Sequence, residues 1–128
     1  MTRAPATTRR TLAQVVVCRG CCCGETRKGH AEVPVDWLKD EWRRRGLAKH
    51  VHLTVSGCLG PCDVANVVLV AEGAGLTWLG ALAGREAYEE LLAWASRVAE
   101  AGALAPLPRA LERHAFERYR TGRGAAVA

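Results

Sequence analysis

The chain has 128 residues, a length that suits one domain of roughly 100–150 residues and not two. Hydrophobic residues make up 49% and charged residues 24%, which argues against a disordered chain, and no apolar run approaches the roughly 18 residues of a membrane span. The formal net charge of +5 comes from arginines in the two terminal segments. We therefore expect a soluble, cytoplasmic domain that binds neither nucleic acid nor membrane.

The first segment of the chain carries no apolar period. Residues 1–13 are mainly threonine, alanine and arginine, which predicts a flexible basic arm. Residues 14–17 form a β-branched run that ends at Cys18 and Gly20, as a buried strand does where it enters a loop. The loop then continues to Pro34. Because long loops in compact domains are generally functional, a loop that begins with four cysteines predicts a ligand site.

A helix is predicted next, with Asp36 as its N-cap and an end near Lys49. Leu38 and Trp42 form its apolar side among several arginines. Residues 50–55 then alternate polar and apolar side chains, which predicts a second strand.

The second half of the domain begins with a predicted β-hairpin. Residues 65–71 and 76–79 flank a turn that contains two glycines. A final helix is predicted from about residue 85 to residue 100, with Gly102 just beyond its end. Aromatic residues within these elements, including all four tryptophans, are expected in the core rather than on a base-stacking surface.

The predicted order is β-α-β-β-β-α, which indicates an α/β fold with a mixed four-stranded sheet and helices packed on it. The domain is expected to cover residues 14–102. Residues 103–128 are predicted to be a basic, partly disordered tail. Leu111, Ala115 and Tyr119 indicate a short docked helix in this tail, and residues 121–128 are expected to be disordered.

Six cysteines are the most informative feature of the sequence. They fall into two groups, and the members are Cys18, Cys21, Cys22 and Cys23 in the first and Cys58 and Cys62 in the second. Without an export signal, thiols at this density usually hold a metal rather than form disulfides. Each group follows one of the first two predicted strands, so parallel pairing would bring both groups to one edge of the sheet.

Three kinds of site compete for these cysteines. Zinc could use Cys18 and Cys21 with Cys58 and Cys62, although this choice leaves two cysteines without a role. A thioredoxin-type dithiol would need a helix to begin at the first pair, whereas the predicted helix starts about 15 residues later. A [2Fe-2S] cluster needs four thiolates and nearby backbone N–H groups, which the surrounding glycines can supply.

The spacing of the cysteines resembles that of the thioredoxin-like [2Fe-2S] ferredoxins. The similarity comprises Cys18-x4-Cys23, then Cys58-x3-Cys62 within GCLGPC, followed by the segments ANVVLV and TWLG in the order of that family. It covers residues 14–100 and is closest to the stand-alone bacterial type. The resemblance implies a thioredoxin-like fold, one [2Fe-2S] cluster and one-electron transfer to a protein redox partner, with no enzymatic activity of the chain's own. It also implies a homodimer.

The resemblance implies that the ligands are Cys18, Cys23, Cys58 and Cys62. Cys22 and then Cys21 are the alternatives for the second ligand, since the three cysteines are consecutive. A redox-sensing or zinc-stabilised binding module is the competing function. We assign no metal to the four histidines, because none adjoins a cysteine pair; they are His30, His50, His52 and His114. The cations Arg19, Arg27 and Lys28 are a hypothetical docking surface for an acidic partner.

Overall fold

The structure, a computed structural model, describes residues 4–120. The predicted disorder of residues 121–128, and the first three residues of the predicted arm, lie outside the described residues. The elements follow one another as β1 (Ala13–Cys18), α1 (Val35–Arg44), β2 (Val51–Ser56), β3 (Val68–Glu72), β4 (Gly75–Leu79), α2 (Arg85–Ala101), α3 (Arg109–Glu112) and β5 (Ala115–Phe116).

The strands form one mixed sheet in the order β2-β1-β3-β4-β5. β1 and β2 are parallel, with Ala13 opposite Val51 and Cys18 opposite Ser56. β3, β4 and β5 add to the sheet in antiparallel fashion. The predicted mixed α/β architecture is confirmed, and so is the parallel pairing that places the carboxyl ends of β1 and β2 at one edge of the sheet.

The predicted strand count of four is wrong, because the sheet has five strands within residues 4–120. The expected helix through residues 111–119 is limited to the single turn of α3, and the chain then extends as β5 beside β4. Two contacts hold it there: the N–H of Gly80 donates to the carbonyl of His114 at 2.9 Å, and Phe116 lies opposite Trp78. The spacing of apolar residues could not reveal this pairing, because its partner lies about 35 residues earlier.

The first helix is shorter than predicted and is not capped by Asp36. α1 begins at Val35, the carbonyl of Pro34 accepts the first helical bond from the N–H of Leu38 at 2.9 Å, and Asp36 lies in the first turn. The helix ends at Arg44, since Gly46 adopts a left-handed conformation with φ of 62°. Residues 47–49 form a separate 3-10 turn. This break directs the chain back into β2.

The main core lies between the sheet and the two long helices. Val15 and Val17 of β1 point into it, and Leu38 of α1 and Tyr88 of α2 pack with them. Three of the four tryptophans are buried as expected, and Trp37 is half-buried beneath the guanidinium of Arg85. The helices are thus fixed on the sheet by apolar burial. None of the helices in residues 4–120 is long and apolar enough to cross a membrane.

Candidate metal centre

Both groups of cysteines meet at the edge of the sheet where the parallel strands end. Cys18 is the last residue of β1, and the N–H of Arg19 donates to the carbonyl of Ser56, the last residue of β2, at 2.9 Å. The thiol of Cys18 donates to the carbonyl of Gly57 at 3.3 Å. The second cysteine loop starts at the next residue, so the two loops are adjacent through their backbones.

The first loop makes a tight turn that separates its cysteines into inner and outer members. Gly20 and Cys23 exchange two backbone hydrogen bonds of 3.1 Å, which leaves Cys21 and Cys22 at the tip of the turn. Cys21 is exposed and Cys22 is half-buried. Cys18 and Cys23 are each 2% exposed. The turn therefore directs Cys23, rather than Cys21 or Cys22, into the interior beside Cys18.

The second loop folds back on itself between its two cysteines. Gly60 has φ of +119°, a conformation that favours glycine, and its carbonyl accepts a bond from the N–H of Cys62 at 2.8 Å. The Sγ atoms of Cys58 and Cys62 lie 3.3 Å apart. This loop thus supplies a second pair of thiols, close together, against the buried pair of the first loop.

The four cysteines predicted as ligands line one narrow crevice between the two loops. The remaining lining residues are Gly20, Gly60, Pro61 and Val67. A second grouping overlaps this one on the outside, where the Sγ atoms of Cys21, Cys22 and Cys62 lie within 4.8 Å of one another. The structure therefore brings all six cysteines together, and the choice of four ligands among them stays a prediction.

Burial and hydrogen bonding give the thiols of the site different pKa values. Burial raises the pKa of Cys23 to about 12, and the adjacent Cys18 thiol acts in the same direction. The hydrogen bond with Cys58 raises the pKa of Cys62 to about 12, and the same bond lowers the pKa of Cys58. Because metals bind thiolates, a metal at this site must displace protons that the folded chain otherwise holds firmly.

The donor chemistry of the crevice fits a group held by four thiolates. No histidine or carboxylate lines it. Two of its cysteines, Cys18 and Cys23, are buried, and the other two, Cys58 and Cys62, lie nearer the surface. Backbone N–H groups act on two of the sulfurs: that of Val67 donates to Sγ of Cys23 at 3.3 Å, and that of Gly60 helps to lower the pKa of Cys58. These donors stabilise negative charge on sulfur without competing as ligands. A [2Fe-2S] cluster is therefore compatible with the residues present.

Sequence reasoning missed Asn66, a fully buried polar residue that holds the first loop in place. Its side-chain oxygen accepts from the N–H of Gly24 at 2.7 Å, and its amide nitrogen donates to the carbonyls of Ala31 at 2.8 Å and Leu82 at 3.3 Å. The one available signal was a lone polar residue between Ala65 and the apolar run of β3.

The other candidate residues have distinct surroundings. Among residues 4–120, no histidine belongs to a group of three or more side chains able to hold a metal. The first α-helix begins at Val35, so it does not start directly at the Cys18 and Cys21 pair as the helix of a thioredoxin-type dithiol site does. Arg19, Arg27 and Lys28 are exposed around the first loop. Lys28 donates to the carbonyl of Cys21 at 3.0 Å, and the charge of the Cys22 thiolate raises the pKa of Lys28.

Comparison with known proteins finds similarity only at the level of solved structures. No protein-family model matches the sequence, and no curated protein is significantly similar to it. Among solved structures, the chain is similar to the wild-type thioredoxin-like [2Fe-2S] ferredoxin from Aquifex aeolicus, with 17% sequence identity and a TM-score of 0.48. The match covers 85% of this chain and 100% of that one.

Proposed function

We propose that this chain is a ferredoxin: it holds one [2Fe-2S] cluster on Cys18, Cys23, Cys58 and Cys62 and passes single electrons to a protein redox partner. The observation that carries the proposal is that these four cysteines line one crevice between the two loops. They form two pairs, and each iron of such a cluster takes two protein thiolates. When bound, the cluster supplies a site that gains or loses one electron at a time.

The chain's own residues supply the surroundings that this role requires. The buried pair, Cys18 and Cys23, anchors the site to the end of β1, and the pair Cys58 and Cys62 lies nearer the surface. A centre in such a position is accessible to a partner protein from one side only. The exposed cations Arg19, Arg27 and Lys28 adjoin it, which suits an acidic partner.

The proposal extends to the setting in which the chain works. We propose no catalytic activity of its own, so that the redox partner supplies the chemistry, and we propose no nucleic-acid or membrane partner. Six free thiols suit a reducing compartment, so the proposed location is the cytoplasm. The proposed homodimer rests on the family resemblance alone.

A zinc-binding module is the second candidate, favoured by the outer group of Cys21, Cys22 and Cys62. With the Sγ atom of Cys58 3.3 Å from that of Cys62, this group would offer the four thiolates of a structural zinc site. A module of this kind would be colourless and would contain no sulfide.

Metal and sulfide analysis of anaerobically purified protein tests both candidates. We expect about two irons and two acid-labile sulfides per chain, visible absorption, and an EPR signal after reduction by dithionite. The double variant Cys58→Ser/Cys62→Ser is the control and should bind neither element. Zinc without sulfide in the wild type would replace the ferredoxin proposal by the zinc module. Repeated reduction and reoxidation without loss of iron separates an electron carrier from an oxidation sensor, which would release its iron.

A further inference from the structure

We infer that Arg118 is a positioning residue that holds a positive charge against the second cysteine loop and raises the reduction potential of the centre. This inference rests on the proposed function. Arg118 lies in the segment after β5, two residues beyond Phe116, and sequence patterning assigned this segment to a basic tail with a short docked helix.

The contact between Arg118 and the cysteine loop is made at Gly60. A Cβ atom built on Gly60 would lie 2.7 Å from Nη2 and 3.6 Å from Cζ of Arg118, so the guanidinium occupies the space that any other side chain would fill. Gly60 is two residues from Cys58 and two residues from Cys62. The charge therefore lies beside the middle of the loop that carries the more exposed pair of thiols.

Aromatic rings hold the guanidinium in this position. Its Cζ atom lies 5.5 Å from the centre of the Trp78 ring and 5.6 Å from that of Tyr119, distances at which a cation is attracted to the ring face. Trp78 is buried in a cluster that also contains Cys18 and Cys23. The side chain that supports Arg118 is thus part of the packing around the first pair of thiols.

Arg118 forms no ion pair within the described part of the chain, although Asp63 and Glu117 line the same surface cavity as Arg118 and Gly60. The ion pairs in residues 4–120 all join residues of α1 or Arg45 next to it, and none includes Arg118. The centre becomes more negative by one charge when it is reduced, and a nearby positive charge stabilises that state. Because Arg118 is exposed, its effect is screened by salt and should be moderate.

Reduction potentials of the reconstituted full-length protein test the inference. Replacing Arg118 by Gln should lower the equilibrium constant for reduction by about two- to fivefold, as expected for loss of one charge at close range in a solvated site. At 59 mV per tenfold change, this corresponds to roughly 20–40 mV. Arg118→Lys keeps the charge and should recover more than half of the shift. The difference between wild type and Arg118→Gln should shrink in about 1 M salt.

Arg97→Gln is the matched control, because it removes the same charge from an exposed arginine near the end of α2. The neighbouring Ser96 accepts a bond from Arg45, which precedes β2, so Arg97 lies at the opposite end of the sheet from the cysteine loops. Equal shifts in Arg118→Gln and Arg97→Gln, or no shift in either, would overturn the inference. So would loss of the centre from Arg118→Gln alone, since it would make the residue a structural support. Absence of iron and sulfide from the wild type would instead overturn the proposed function.

Discussion

The side-chain oxygen of Asn66 accepts a hydrogen bond of 2.7 Å from the backbone N–H of Gly24, 42 residues earlier in the chain. Gly24 directly follows the last cysteine of the first loop. The same side chain holds the carbonyls of Ala31 and Leu82 through its amide nitrogen. One buried amide therefore ties two points of the first cysteine loop, Gly24 and Ala31, to the segment that leads from β4 into α2.

Asn66→Ala should destabilise the chain and loosen the metal centre. The substitution leaves two buried backbone groups and one part-buried group without the Asn66 partner, and we expect the free energy of unfolding to fall by about 2–5 kcal/mol. Urea unfolding of the metal-free protein gives this value, and iron content after reconstitution reports on the loop. Gln14→Ala is the control, since it removes an exposed amide that bonds to Thr54, and it should cost no more than about 0.5 kcal/mol. An equal decrease in the free energy of unfolding for the two variants would show that the hydrogen bonds of Asn66 contribute little to stability.

Local patterns in the sequence were sufficient to predict the topology that creates the site. A β-branched run located β1 and the alternation of polar and apolar residues located β2, and their parallel pairing follows from the intervening helix. The predicted end of the first helix near Lys49 was too late, because the positive φ of Gly46 ends α1 at Arg44.

Two parts of the site depend on partners that are distant in sequence. The three partners of Asn66 lie 16, 35 and 42 residues away, so no local pattern predicts them. Arg118 reaches Gly60 only because β5 pairs with β4, and a strand of two residues has no recognisable period. Tertiary pairing, rather than propensity, decides where both residues lie.

Serine substitutions should separate ligands from spare cysteines. Cys18→Ser, Cys23→Ser, Cys58→Ser and Cys62→Ser each remove a thiolate from the crevice and should lose most of the bound iron. Cys21→Ser and Cys22→Ser alter only the tip of the turn and should retain the iron content of the wild type. Iron and sulfide analysis after identical reconstitution gives the comparison. Retention of iron by Cys23→Ser together with its loss from Cys22→Ser would transfer the second ligand position to Cys22.

Removal of the metal should reveal unequal reactivity among the thiols. At about pH 8 we expect iodoacetamide to label Cys58 early, because it is exposed and its pKa is lowered by the hydrogen bond from Cys62. Cys23 should react last, since it is 2% exposed and burial raises its pKa to about 12, so its reactive thiolate is scarce until the pH approaches that value. Mass spectrometry of timed digests measures the order.

The control for this labelling experiment is the same reaction in urea, where all six cysteines should react at similar rates. Early labelling of Cys23 in the folded, metal-free chain would mean that the first loop opens without metal. That outcome would remove the expected protection of the buried pair.

Cations around the first loop should make electron transfer depend on the charge of the oxidant. Arg27 and Lys28 are exposed, and their positive electrostatic potential attracts anions and repels cations over about 10 Å at 0.1 M salt. The reduced protein should therefore pass its electron to ferricyanide at a rate that falls as salt rises. The rate with hexaammineruthenium(III) should rise instead. Stopped-flow absorbance follows both reactions.

The double variant Arg27→Gln/Lys28→Gln should flatten the salt dependence with ferricyanide by removing two charges beside the site. Lys39→Gln/Lys49→Gln is its matched control: it removes one exposed charge from the middle of α1 and one from the turn before β2, whereas the cysteine loops follow β1 and β2. Because an electrostatic effect at the site decays with distance, the control should keep most of the wild-type dependence. Equal flattening in both variants would show that net charge alone steers the oxidant, and the docking surface at Arg19, Arg27 and Lys28 would then lose its support.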